Sequence, residues 1–171
     1  MPFTPFHWGI SLLIQSLLLF LDPLALFIGS VIPDIEGITA WFILPGRGLP
    51  LHGPLHSFTG AIFLGLIVGT CSWMVFTHII PFIVERLHLE LPIAIPQYSL
   101  RCSLLSAFIG TFSHIILDTP LYPEMDLVYP FGIGNPWYGV VPGILIYSIC
   151  TLSFFAGIII LSIRFSKKRD S

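Results

Sequence analysis

The apolar run at residues 55–84 outlasts the roughly 20 residues that cross a bilayer core, and three further apolar stretches share the chain with it. A water-soluble fold has no use for such a pattern. Of the 171 residues 55% are hydrophobic and only 9% are charged, at a mean hydropathy of +0.93. An average soluble domain carries about 25% charged residues, so the charges here are too few to cover a water-facing surface. The expectation is one all-α integral membrane domain over residues 1–171, with the lipid bilayer as its partner and no nucleic acid. Cys71, Cys102 and Cys150 lie inside apolar runs, are odd in number and form no CxxC pair. They read as packing residues, neither a disulfide framework nor a thiolate metal site. The opening MPFTPFHW lacks the basic region and cleavage site of a signal peptide, so the first apolar segment is read as part of the mature fold.

Proline and charge divide the chain. Asp22-Pro23 interrupts the first run, because proline cannot continue a helix interior and a carboxylate at mid-bilayer is costly. Two half-length helices, about 8–20 and 24–32, are expected to form a hairpin over 6–34. A helix of that length reaches only ~20 Å against a core about 30 Å thick, so the pair should be re-entrant or covered by other protein. Three full spans are expected at about 55–84, 100–118 and 142–165, with Pro81 kinking the first near its far end. A short loop at 85–99 and an outer loop at 119–141 join them. Lys167, Lys168 and Arg169 follow the last span, which places the C-terminus in the cytoplasm. Threading back from there puts 119–141 and the start of the second segment on the outer face of the inner membrane.

On that threading the scarce polar residues gather at one level. His52 and His56, in LHGPLHS, open the second segment at its outer end, one helical turn apart. His114 and Asp118, in SHIILDT, close the third and share a helix face. Asp34, in VIPDIEG, ends the hairpin's second limb, and His7 begins its first. Glu124, Asp126 and Asn135 lie in the outer loop. His78 and His88 fall toward the opposite face and are set aside. Imidazole and carboxylate are the donors of Zn²⁺, Mn²⁺ and Fe²⁺ centres. His7, Asp34, His52, His56, His114 and Asp118 are therefore candidate ligands of a divalent metal, with zinc the first choice. A single zinc takes about four ligands, so six suit two ions that polarise a substrate and activate a water. Asp126 or Glu124 would act as general base. Each residue also has a plainer reading. His7 and the His52/His56 pair could be polar groups at headgroup level, Asp34 a turn residue after Pro33, and Asp118 a helix terminator. Glu36 and Glu124 read as solvated loop charges, and Asn135 as a turn residue. The coincidence of all of them at one depth is what a metal explains, because charges in a membrane persist only when paired.

MPFTPFH, SVIPDIE, LHGPLHS and SHIILDT, in that order over nearly the whole chain, resemble the YdjM-like family of membrane-bound metal-dependent hydrolases, once grouped as a domain of unknown function. The resemblance implies a small multi-pass inner-membrane protein whose ligands would be His7, Asp34, His52, His56, His114 and Asp118, with Asp126 a further candidate. The family's HR-x-x-THS pattern is altered here, since Gly53 stands for the arginine and Leu55 for the threonine. A phosphate contact from that arginine would be lost or supplied by Arg47. The order of His and Asp residues is also similar, more loosely, to zinc-dependent phospholipase C.

The leading expectation is hydrolysis of a phosphoester in a lipid or lipid-linked substrate by a metal-activated water at the outer interface. The alternative is a metal-binding or metal-transporting membrane protein without hydrolytic activity. Transport would need polar residues through the midplane, where the spans carry only Ser, Thr, Gly and Cys. A third reading is a structural subunit whose His/Asp cluster ties helix ends together.

Overall fold

A computed structural model describes residues 6–43, 46–48, 50–90, 95–132 and 134–169, and every regular element among them is helical. Helix α1 spans His7–Leu17 and α2 spans Pro23–Gly29. A 3₁₀ turn, Ile32–Asp34, leads into α3, Ile35–Ile38, and a π turn, Thr39–Ile43. A second 3₁₀ turn, Pro54–His56, precedes α4, Phe58–Met74. A π turn, Val75–Ile79, joins α4 to α5, Ile80–Arg86, and the long helices α6, Leu100–Asp118, and α7, Gly143–Arg169, follow. Phe58–Arg86, Leu100–Asp118 and Gly143–Lys167 are long and apolar enough to cross a membrane, and α2 with Ile32–Ile43, bent by 42°, adds a fourth if that pair is one broken span.

The boundaries differ from the sequence reading in two places. Ser57 caps α4 by accepting the Gly60 N–H at 2.9 Å, which leaves Leu55 and His56 outside the helix. Pro81, expected to kink the span near its far end, follows a π turn within the continuous Phe58–Arg86 span. It sits in the first turn of α5, just past the π turn, where a missing N–H is tolerated. The limb expected to stop at Asp34 runs on to Ile43.

Asp22 was expected to be an expensive charge in a turn. Its backbone is extended, its carboxylate accepts the Ala25 N–H at 3.2 Å, and Pro23 takes the first helical position, so it caps α2. The same buried carboxylate accepts from Ser72 of α4 at 2.7 Å and Ser103 of α6 at 2.5 Å. The Asp22 N–H donates to Ser106 at 2.9 Å. The mid-span serines thus solvate one carboxylate from two neighbouring helices.

Close packing by small residues sets the helix positions, as is usual where lipid removes a hydrophobic drive between helices. A Cβ on Gly110 would stand 2.4 Å from the Leu26 carbonyl oxygen, and one on Gly29 would stand 2.7 Å from that of Ala107. Helix α2 therefore lies directly on α6. Helix α1 lies on α7 in the same way, where a Cβ on Gly9 would meet the Cys150 oxygen at 2.1 Å. Ile62, Phe63 and Leu66 of α4 and Ile144, Leu152 and Ile159 of α7 point outward, as a lipid-facing surface requires.

Candidate metal centre

Four side chains meet where these elements end. His114 and Asp118 occupy the last turn of α6, His56 closes the Pro54–His56 turn, and Asp34 closes the Ile32–Asp34 turn. None is more than 1% exposed. One donor atom from each lies within 4.8 Å of all the others, so the group could hold a metal ion. His114 Nε2 is 3.3 Å from Asp118 Oδ2, 3.6 Å from Asp34 Oδ1 and 3.4 Å from His56 Nε2. His56 Nε2 is 3.7 Å from Asp34 Oδ1.

The far side of each imidazole explains the orientation. His114 Nδ1 donates to the Ser30 carbonyl at 2.8 Å, and His56 Nδ1 donates to Glu36 Oε2 at 2.8 Å. Both acceptors are oxygens without a proton to give, so both rings carry hydrogen on Nδ1 and turn Nε2 inward. The α2–α6 contact at Gly29 and Gly110 makes the first bond feasible, since it brings Ser30 beside the turn that carries His114.

His7 is buried alongside. It stacks on His114 with ring centroids 4.0 Å apart, and its Nε2 lies 3.4 Å from Asp118 Oδ1. Among the described residues, neither His7 nitrogen and neither Asp118 oxygen has a hydrogen-bond partner. The spacing of His52 and His56 suggested a shared helix face, but the chain between them is a bend and a 3₁₀ turn. Their rings meet edge to face at 4.8 Å. His52 is not one of the four converging residues. Its Nδ1 pairs with Glu124 Oε1 at 2.8 Å, and its ring stacks on Tyr122 with centroids 3.7 Å apart. Asp126 accepts the Gly134 N–H at 3.2 Å, within the outer loop. Asn135 is more than a turn residue. Its amide donates to the Thr119 and Tyr122 carbonyls, both at 2.7 Å, and ties that loop to the end of α6.

Charge follows these contacts. Burial lowers the His56 pKa, but the Asp34 and Glu36 carboxylates outweigh it and push it up to about 9. Burial holds His52 below its ordinary value, with Glu124 offsetting only part of the effect. Tyr122 is pushed well up by burial and by the Asp118 charge, so its phenol stays neutral.

Sequence reasoning misplaced Glu36. It is not a solvated loop charge, because its side chain is 12% exposed and accepts from the Gly53 N–H, the Leu55 N–H and His56. Its one sequence signal is its place two residues after Asp34 in a chain with few acids.

Fold and cluster together define a class, an all-helical membrane protein with a buried His/Asp group able to hold a metal ion. Comparison with protein-family models, curated proteins and solved structures finds no match that would narrow it.

Proposed function

We propose that this chain is a membrane-embedded, metal-dependent hydrolase of the YdjM-like kind. The observation that supports it best is the spacing of the four inward atoms. Donors bonded tetrahedrally to zinc at 2.0–2.1 Å lie about 3.3–3.4 Å from one another; four of the six separations run from 3.3 to 3.7 Å, and one donor atom from each residue lies within 4.8 Å of all the others. Two imidazoles and two carboxylates suit Zn²⁺, with Mn²⁺ and Fe²⁺ compatible with the same donors. The His7–Asp118 pair repeats the same spacing at 3.4 Å on the carboxylate's other oxygen. That favours a second ion, with Asp118 shared between the two.

A bound divalent cation would polarise a phosphoryl oxygen and acidify a water. Asp34, His56, His114 and Asp118 would hold it, and His7 would complete the pair. Glu124, hydrogen-bonded to His52 and 46% exposed, is the better placed acid for moving a proton to or from the surface. Asp126 is the other candidate base. The substrate would be a phosphoester of a lipid or lipid-linked compound, reached from the outer face of the inner membrane, with Lys167 and Lys168 in the cytoplasm.

One observation favours the alternative, a metal-holding protein without hydrolysis. All four ligand candidates are closed off from solvent, as in structural metal sites, whereas catalytic sites keep an open position. Elemental analysis of detergent-purified protein, with hydrolysis of an aryl phosphodiester measured on the same sample, separates the readings. Metal with turnover supports the hydrolase and metal without turnover supports the alternative. A metal content near zero ends both.

A further inference from the structure

We propose that Glu36 is the positioning residue of this centre. It holds His56 in the one orientation that can bind a cation, and it makes cation loading and docking of the Ile32–Ile43 segment a single event. The inference rests on the metal-centre reading above and adds to it a residue that no ligand motif marks.

Three contacts converge on one carboxylate. Glu36 Oε2 accepts from His56 Nδ1 at 2.8 Å and from the Gly53 N–H at 2.9 Å, and Oε1 accepts from the Leu55 N–H at 2.9 Å. The ligand ring and the two backbone amides just before it are thus fixed by one side chain. Gly53 is suited to this, since a Cβ there would come within 3.0 Å of Glu36 Oε1 and 2.7 Å of Pro50. A histidine ligand whose other nitrogen donates to a carboxylate is fixed in tautomer and ring angle and becomes a better base toward the metal. His114 obtains the same service from the Ser30 carbonyl, a backbone group that no side-chain substitution removes. His56 depends on a side chain alone.

The position of Glu36 supplies the coupling. Asp34 faces the cation from the Ile32–Asp34 turn, and Glu36 lies two residues on in α3. One short segment therefore provides a ligand and the residue that aims a second ligand from another part of the chain. A cation bound to Asp34 and His56 holds the segment in place, and the docked segment by reciprocity raises affinity for the cation.

The test is a Co²⁺ titration of the detergent-purified full chain, because four-coordinate Co²⁺ absorbs strongly in the visible. In Glu36→Gln the amide replaces one acceptor oxygen with a donor, and binding is expected to weaken roughly 10–100-fold while the helical circular dichroism is unchanged. Amide exchange adds a second measure. Loading with Co²⁺ should slow exchange at Gly53 and Leu55 in wild type and not in the variant. A folded Glu36→Gln protein that binds Co²⁺ as tightly as wild type overturns the proposal and leaves the metal centre standing. Wild-type protein that binds no Co²⁺ overturns both. Should the variant not fold, nitrogen NMR of the Zn²⁺-loaded wild type decides. A proton on His56 Nδ1 with the ion on Nε2 is expected, and the reverse arrangement overturns the proposal.

Discussion

His114 is the residue on which the centre turns. Its Nε2 is within 3.7 Å of three other candidate donors, and its Nδ1 secures the ring to α2. Replacing it with alanine should reduce bound metal roughly tenfold or more, since outer-shell changes alone cost 10–100-fold. The helices should survive, because α6 is seated by Gly110, Ala107 and the Asp22 contacts and not by this ring. Elemental analysis and circular dichroism of His114→Ala check both parts, and loss of the fold would favour a purely structural cluster. The raised His56 pKa gives a second prediction at this scale. In the unfolded chain histidine titrates near 6.5, whereas the folded, ion-free value is about 9. Protonated His56 therefore stabilises the ion-free protein fully below pH about 6.5, and this is lost as pH climbs through about 9. A cation instead requires a bare Nε2, so stabilisation by the ion grows with pH. Thermal unfolding of chelated and Zn²⁺-loaded samples across that range should show opposite trends.

Among the elements, α6 carries two polar levels. Ser103 and Ser106 meet Asp22 near one end, and His114 and Asp118 form the cluster at the other, about 16 Å away by helical rise. Gly110 lies between them against α2. Gly110→Val would drive α2 off α6, at about 1–3 kcal/mol for an overpacked contact, and would pull Ser30 from His114. Unfolding temperature and metal content should fall together. At the other level, Asp22→Asn keeps one acceptor oxygen, enough for the Ser72 and Ser103 hydroxyls that share Oδ2 but not for the Ala25 N–H as well. Asp22→Leu strands both hydroxyls and should be the less stable by about 1–3 kcal/mol, measurable by thermal unfolding in detergent. The two levels were not equally legible in the sequence. Spans and their apolar faces follow from composition, and the His and Asp candidates stood out because ionisable side chains are rare in such a chain. The Asp22 contacts did not, since serines serve in any apolar helix and nothing local pairs residue 22 with residues 72 and 103. Glu36 was hidden for a related reason, because its partner is twenty residues away and proximity depends on how the chain folds back before Pro54. The expectation that one helical turn carries both His52 and His56 missed that the helix is capped only at Ser57.

For the whole molecule, the cluster lies at one end of the bundle and the basic residues that close α7 at the other. Helix α4 starts just after His56, α6 ends at Asp118 and α7 starts after the loop that Asn135 ties to α6. The exposed indoles and phenols fall in the segments that carry or follow cluster residues, Trp8 next to His7, Trp41 in the turn after α3, and Tyr129, Trp137 and Tyr138 in the loop after α6. Indole and phenol rings favour the headgroup layer, so this end should rest at a membrane surface with the cluster just beneath it. Arg47 is exposed on the chain between Trp41 and the loop. The cytoplasmic side proposed for Lys167 from the positive-inside tendency would put Arg47 on the opposite side. A cysteine introduced as Arg47→Cys should react with a membrane-impermeant maleimide added outside intact cells, and Lys167→Cys should react only after the membrane is opened. Cys71, Cys102 and Cys150 are free thiols within the helices, so both variants belong in a background where these are serine or alanine. Labelling at Lys167→Cys from outside would invert the protein and move the cluster to the cytoplasmic face. A lipid-linked phosphoester would then have to be met in the inner leaflet, and the substrate search would change accordingly.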